Sequence, residues 1–199
     1  CLGKTHTSEL AFSGLGLNPI TATPPCVNDV NAVSGGSSSG AATSIAFGLA
    51  PVAIGTDTGG SVRIPAGWND LVGLKTTSGQ VSLEGVVPLC PQFDTVGPLA
   101  KTVEDAALTY AILAGCAPID TAPTSIKGRK LAILETAALD DLRDAPRAGF
   151  ETAVAKFAEH GAQIERITAP EVAVALSLSA TLFAPEAYGT WKDRIEAAP

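Results

Sequence analysis

Two clusters of glycine and serine contain the residues best suited to covalent chemistry. The first is GGSSSG, residues 35–40, and the second is GTDTGGSVRIPA, residues 55–66. Paired glycines let a backbone turn sharply and point successive N–H groups into one hollow. In the second cluster Ser61 directly follows a glycine pair, which places a nucleophilic oxygen beside donors that could hold an oxyanion. The pattern is typical of an acyl-transfer site.

The sequence offers few bases that could activate Ser61. Its two histidines are His6 and His160. His160 ends an amphipathic helical pattern, where a cation is an ordinary structural choice, and His6 lies in a polar opening segment. A histidine-free mechanism is therefore favoured, with a second serine as the proton carrier.

Taken together, the two clusters resemble the amidase-signature family of amide hydrolases. GGSSSGAA is followed by GTDTGGSVRIPA, with VGLK close behind, and the similarity covers residues 3–107 before it weakens. The resemblance implies a Ser-Ser-Lys triad in which Ser61 is the nucleophile. The relay serine of the family, held on a cis peptide bond, corresponds to Ser37, which stands 24 residues before Ser61. A cis bond is therefore expected between Gly36 and Ser37.

The resemblance also implies roles for the residues around Ser61. The oxyanion hole would consist of four consecutive backbone N–H groups, those of Thr58, Gly59, Gly60 and Ser61. Three further residues would support the two loops, namely Asp57, Arg63 and Ser38.

The lysine of the triad is expected outside this chain. In the family it lies in a KDN-like segment well upstream of the GKT stretch, whereas this chain starts at CLGKT and contains no KDN. Lys4 and Lys75 occupy motif positions where the family lysine is not found, so both are interpreted as structural or surface residues.

The expected reaction is hydrolysis of a small-molecule carboxamide to a carboxylic acid and ammonia or an amine, through an acyl-enzyme and without a cofactor or metal. One alternative is the glutamine-hydrolysing subunit of a tRNA amidotransferase, because such subunits resemble this chain in the same motifs. The opening GKTHTSELAFSGLG departs from their GKTNMDEF-like pattern and favours a stand-alone amidase. An alternative of another class is a non-catalytic, amidase-like binding subunit.

Composition limits the partners and the compartment. The 199 residues carry a net charge of −7, which disfavours binding to nucleic acid phosphates or anionic membranes. No apolar run is predicted to be long enough to cross a bilayer. Four cysteines without a CxxC pair are expected to be reduced thiols in a cytoplasmic protein: Cys1, Cys26, Cys90 and Cys116.

Alternating strand and helix patterns are expected to position the two clusters. Strands are predicted at 51–55, 71–75, 129–134 and 163–168. Helices are predicted after Gly40, at 102–115 with Thr102 as N-cap, at 144–162 and at 170–197. A loop is predicted over 56–68, and turns with short extended pieces over 76–100, where they would form the mouth of the site.

The fold class that follows is α/β, and the resemblance implies a three-layer α/β/α sandwich with a mixed β-sheet. Residues 1–199 are expected to be an incomplete part of a single domain of this kind. The chain starts at Cys1, ends at Pro199 and contains no methionine, so residues are expected to be missing at both ends. A homodimer is left open.

Overall fold

The computed structural model describes residues 1–197, except for the side chain of Ala180. These residues form two compact units. The first comprises Cys1–Thr121 together with the residues from Pro185 onward, and the second comprises Ala122–Ala184. The assignment of the whole chain to a single domain stays a prediction.

The first unit contains a three-stranded sheet and three helices. In chain order they are α1 (Ser39–Ala46), β1 (Val52–Thr56), α2 (Arg63–Trp68), β2 (Val72–Gly73), β3 (Val96–Ala100) and α3 (Val103–Ala114). A short 3-10 turn at Glu9–Ala11 precedes them. The strand order is β1-β3-β2 and both pairings are antiparallel.

Small residues let α1 and α2 lie close to the sheet. The buried cluster consists of Ala41, Ala42 and Ile45 from α1, Val62 and Ala66 from α2 and its approach, and Leu99 from β3. Alanine on a helix face allows a close approach between backbones, which brings the beginning of α1 near β1. The start of α1 is where the first serine cluster lies.

The central strand of this sheet was not predicted. Val96–Ala100 lies between β1 and β2 and every one of its residues is buried, whereas the sequence pattern predicts mainly turns over 76–100. Pro98 obscured the strand, because proline lacks the N–H that a central strand normally uses. Gly97 is equally needed, since a Cβ there would clash with the Leu74 carbonyl oxygen.

The predicted loop over 56–68 is wrong in its second half, where Arg63–Trp68 forms α2. The carboxylate of Asp57 accepts hydrogen bonds from the backbone N–H groups of Val62 and Arg63, at 3.2 and 3.3 Å. These are donors that the start of a helix leaves unsatisfied. Pro65 falls in the first turn, where proline is tolerated. The acceptor lies too far upstream to be recognised as a cap from sequence.

The predicted helix at 102–115 is confirmed as α3. Thr102 Oγ1 accepts a hydrogen bond from Asp105 N at 3.1 Å, as its N-cap role requires. Gly115 ends the helix in the left-handed conformation, with φ of 64°.

The second unit is a strand–helix–strand arrangement, as predicted. β4 (Lys130–Glu135) and β5 (Gln163–Thr168) pair in parallel through α4 (Asp144–Glu159), with Leu131 opposite Ile164. His160 caps α4, and its Nδ1 lies 2.7 Å from the Lys156 carbonyl oxygen. A second 3-10 turn, Ala137–Leu139, lies between β4 and α4.

The last helix, α5, spans Glu171–Ala197 and contains Pro185. Over 18 residues its mean hydropathy reaches 1.2, so by length and composition it could cross a membrane. The prediction that no run reaches such a length is wrong for this helix, because alanine and leucine outweigh the few charges within one window. The same criterion is met by helices that soluble proteins bury in their core, so α5 alone is weak evidence for a membrane.

Candidate active site

Ser37 lies just before α1 and is wholly buried. The peptide bond between Gly36 and Ser37 is cis, as predicted. The Ser37 carbonyl accepts three hydrogen bonds, from Ser8 N at 3.2 Å, Thr7 Oγ1 at 2.9 Å and Ser39 N at 2.8 Å. Within residues 1–197, Ser37 Oγ has no hydrogen-bond partner. The main chain of this serine is therefore held firmly while its hydroxyl is not engaged by these residues.

Ser38 joins the two serine clusters. Its backbone N–H donates to the carbonyl of Ser61 at 3.2 Å, and its hydroxyl exchanges hydrogen bonds with the backbone of Thr56, at 3.2 and 3.3 Å. Gly55 leaves room for this contact, because a Cβ there would lie 2.5 Å from Ser38 Oγ. The structure thus brings together two segments that the sequence analysis treated as one site.

A buried carboxylate shapes the loop that carries Ser61. Asp57 is wholly buried and accepts from Gly60 N at 2.7 Å, and from Nε and Nη2 of Arg63, both at 3.0 Å. Burial acts to raise the pKa of Asp57. The hydrogen bonds and charge of Arg63 and the N–H groups of Val62 and Gly60 outweigh it, so the pKa lies below its ordinary value. Asp57 and Arg63 therefore lie where the sequence analysis expected supporting residues.

Three of the four expected oxyanion donors have unengaged N–H groups. Within the described part of the chain, no oxygen accepts from the backbone N–H of Thr58, Gly59 or Ser61. Gly60 differs, because its N–H points at Asp57 and is already used. The assignment of Gly60 to the oxyanion hole stays a prediction. With φ of 132° and a hypothetical Cβ 2.7 Å from Ile64 Cδ1, this position requires glycine.

Sequence reasoning missed Asp94, which holds the same loop from the other side. It is buried and accepts from Thr58 Oγ1 at 2.5 Å, from Leu89 N at 2.9 Å and from Cys90 N at 3.1 Å. The next residue, Thr95, donates its hydroxyl to the Asp57 carbonyl at 2.5 Å. A single aspartate in a turn-rich stretch gives no motif, and its only signal is that it directly precedes the buried strand β3.

The two buried cysteines lie in unreactive surroundings. Cys90 is wholly buried, and burial together with the hydrogen bond and charge of Glu186 and the charge of Asp94 raises its pKa to about 12. Cys26 donates its thiol to the Trp68 carbonyl at 3.1 Å. Neither arrangement favours a thiolate nucleophile.

The basic residues that the sequence analysis set aside are not placed to activate Ser61. Lys4 is exposed, and Lys75 donates its ammonium to the Thr76 carbonyl at 2.9 Å. Nδ1 of His160 lies 2.7 Å from the Lys156 carbonyl oxygen at the end of α4. His6 is different: its Nδ1 lies 2.9 Å from Ser39 Oγ, two residues after Ser37. Sequence reasoning missed this neighbour because the contact spans 33 residues.

A cavity of about 460 Å³ opens beside the serine clusters. Its wall includes Ser38, Thr56 and the segment of residues 5–11. Val86, Val87 and Val96 also line it, so part of the stretch predicted to form the mouth of the site lies here. Among residues 1–197, no group of three histidine, cysteine or acidic side chains is arranged to hold a metal ion.

Comparisons with known proteins show the family of this chain. The family model described as Amidase matches residues 1–197. The chain is 42% identical over 179 residues to 2-amino-5-chloromuconic acid deaminase of Comamonas testosteroni, covering 85% of this chain and 37% of that protein. It is 38% identical to mandelamide hydrolase of Pseudomonas putida, covering 86% of this chain and 34% of that protein. The chain thus spans little more than a third of the length of these two relatives.

A solved structure extends the similarity to the fold. The native peptide amidase from Stenotrophomonas maltophilia matches with a TM-score of 0.79 and 30% identity, covering 96% of this chain and 44% of that chain. The expected α/β amidase-signature fold is therefore confirmed, with this chain as an incomplete part of it.

Proposed function

The chain belongs to the amidase family, and we propose that it carries the nucleophile and the oxyanion hole of a carboxamide hydrolase. The observation that best supports this proposal is the environment of Ser61. This serine follows two glycines and lies two residues before α2. Its own backbone N–H and those of Thr58 and Gly59 are unengaged within the described residues. Donors preset where negative charge develops are commonly the largest contribution to acyl-transfer catalysis.

Ser37 is the proposed proton relay between Ser61 and a lysine. The backbone bond from Ser38 N to the Ser61 carbonyl keeps the two serine segments adjacent. Ser37 Oγ is buried and has no partner among residues 1–197, which supports a hydroxyl that pairs with a group these residues do not supply. The proposed base is a lysine outside this chain, since neither Lys4 nor Lys75 contacts Ser37.

The proposed reaction consists of two acyl transfers, first from the amide to Ser61 and then from Ser61 to water. Ser61 Oγ attacks the amide carbon as its proton passes to Ser37, whose own proton passes to the lysine. The carbonyl oxygen becomes an oxyanion held by the N–H groups of Thr58, Gly59 and Ser61. The C–N bond then breaks and the amine leaves with a proton returned through the relay. Water hydrolyses the ester on Ser61 by the same path.

The proposed substrate is a small carboxamide, and the proposed location is the cytoplasm. The net charge of −7 does not suit a nucleic acid or an anionic membrane surface. Two relatives of this chain are a 2-amino-5-chloromuconic acid deaminase and a mandelamide hydrolase, and others are tRNA amidotransferase subunits. The departure of GKTHTSELAFSGLG from the pattern of tRNA amidotransferase subunits favours a stand-alone amidase.

The test is covalent labelling of the intact protein with a fluorophosphonate, followed by intact mass and peptide mapping. One adduct on Ser61 is expected, and Ser61→Ala should abolish it and lower the rate of ammonia release by about 10⁴-fold or more. Ser37→Ala should slow both labelling and ammonia release.

The matched control is Ser44→Ala. Ser44 lies in α1 and, within residues 1–197, its hydroxyl donates only to the Ala41 carbonyl, at 2.9 Å, so labelling should proceed at the wild-type rate. A folded wild-type protein that forms no adduct would favour the non-catalytic binding subunit. Release of ammonia from glutamine alone, among a panel of carboxamides, would favour the amidotransferase alternative.

A further inference from the structure

The ring of His6 contacts the first serine cluster. Its Nδ1 lies 2.9 Å from Ser39 Oγ, and its own carbonyl accepts from Gly40 N at 2.9 Å. A Cβ at Gly40 would clash with His6 N, so the opening segment is packed directly against the start of α1. The ring and the main chain of His6 thus hold the two residues that follow Ser38.

Those residues in turn fix Ser37. Ser39 N is one of the three donors to the Ser37 carbonyl, and the other two come from Thr7 and Ser8, the residues next to His6. Ser39 is wholly buried, and its hydroxyl has no partner other than His6 within residues 1–197. Removing the imidazole would therefore leave a buried hydroxyl unsatisfied at the start of α1.

We propose that His6, acting through Ser39, is a positioning residue for Ser37. It holds the start of α1 so that the Ser37 hydroxyl faces its two proton-transfer partners. In this role His6 acts through Ser39 and does not itself carry the transferred proton. The inference rests on the proposed function, because positioning matters only if Ser37 carries the proton.

The role requires a hydrogen-bonding atom at the δ position of residue 6. Asparagine supplies such an atom at the same distance from the backbone as imidazole Nδ1, whereas glutamine carries its amide one bond further out. His6→Asn is therefore expected to act like wild type and His6→Gln is not. Nε2 of His6 has no partner within the described residues, so losing it removes no hydrogen bond to them.

The experiment measures steady-state hydrolysis and the rate of fluorophosphonate labelling in the intact protein. His6→Leu and Ser39→Ala should each lower kcat about 10–100-fold with KM changed less than about twofold, since a small displacement of a proton-transfer group slows the chemical step. The double variant should be no slower than the slower single variant, because both remove the same contact. His6→Asn should recover most of the wild-type kcat, and His6→Gln should remain slow.

Ser44→Ala is the matched control for Ser39→Ala, since both lose a hydroxyl from α1 and Ser44 does not contact Ser37 or its neighbours. Wild-type labelling rates in both His6→Leu and Ser39→Ala would overturn the positioning role and leave the proposed function intact. Labelling of Ser61 at the wild-type rate in Ser37→Ala would overturn the relay role of Ser37, and the positioning role with it. A folded wild-type protein that forms no adduct on Ser61 would overturn the proposed function. If His6→Leu does not fold, Ser39→Ala and the pair of His6→Asn and His6→Gln decide the matter.

Discussion

The serine loops, residues 34–63, and the second unit, residues 122–184, use polar residues in opposite ways. In the loops, Ser34, Ser37, Ser39 and Asp57 are fully buried, and Asp57 receives hydrogen bonds from both backbone and side chain. In the second unit, Arg166 bridges Glu135 and Glu151 on the surface, with these side chains about half exposed. Both regions contain an arginine–carboxylate pair, but only in the first is the carboxylate desolvated.

The difference shows where the sequence is constrained. A buried polar group must keep its partner, whereas an exposed ion pair exchanges its partner for water at little cost. The serine loops should therefore tolerate few substitutions, and the second unit should tolerate many. Three measurements test this comparison.

The largest expected effect on stability is from Asp57→Ala. The substitution leaves the N–H groups of Gly60 and Val62 without their acceptor and Arg63 without its partner. The free energy of unfolding should therefore fall by about 3 kcal/mol. Glu151→Ala breaks the exposed pair with Arg166 and should leave the unfolding midpoint nearly unchanged. Urea unfolding of the intact protein measures both, and equal losses would contradict the comparison.

Two glycines offer the next comparison. Gly55→Ala places a methyl group 2.5 Å from Ser38 Oγ and 3.1 Å from Leu99 Cδ1. Overpacking of this kind should lower the free energy of unfolding by about 2 kcal/mol. Gly149→Ala lies inside α4, where no described atom other than those of the local helix backbone and chain neighbours comes within 4 Å of the new Cβ. The higher helix propensity of alanine should raise the free energy of unfolding by about 0.5–1 kcal/mol. In thermal unfolding, the midpoint temperature should fall for Gly55→Ala and rise for Gly149→Ala. A stabilising Gly55→Ala would mean that the serine loop can move away from β1.

The smallest expected effect is the pH dependence of the Asp57 contribution. The folded-state pKa of Asp57 is lowered, so its charged form stabilises the fold above the unfolded pKa of about 3.9, and this contribution is lost as the pH falls through the lower, folded-state value. The stability gap between wild type and Asp57→Asn should be constant near neutral pH and narrow below about pH 4. A gap that stays constant down to pH 2 would show that the charge of Asp57 contributes nothing.

The sequence predicted the parts of the site that depend on local patterns. Ser37 and Ser61 stand beside glycine pairs, and the cis bond at Gly36–Ser37 and the cap at Thr102 lie where they were expected. Each of these signals is contained within a few consecutive residues. The roles of Ser37 and Ser61 in catalysis remain predictions until the labelling is done.

The sequence could not predict what depends on contacts between distant segments. Asp94 binds Thr58 across 36 residues, and His6 meets Ser39 across 33. Pro98 lies in a central strand against its usual preference, because β3 is selected by the burial of its whole length rather than by local propensity. The N–H of Gly60 is directed to Asp57 by a loop conformation that no motif encodes.

Asp94 has a consequence for how this protein can vary. It binds Leu89 and Cys90 through their backbone N–H groups, so the hydrogen bonds make no demand on which side chains stand there. Substitutions of the Val86 and Val87 side chains, which line the cavity, should therefore leave Thr58 in its position. One carboxylate would thus separate variation of the cavity wall from preservation of the loop proposed to carry the chemistry.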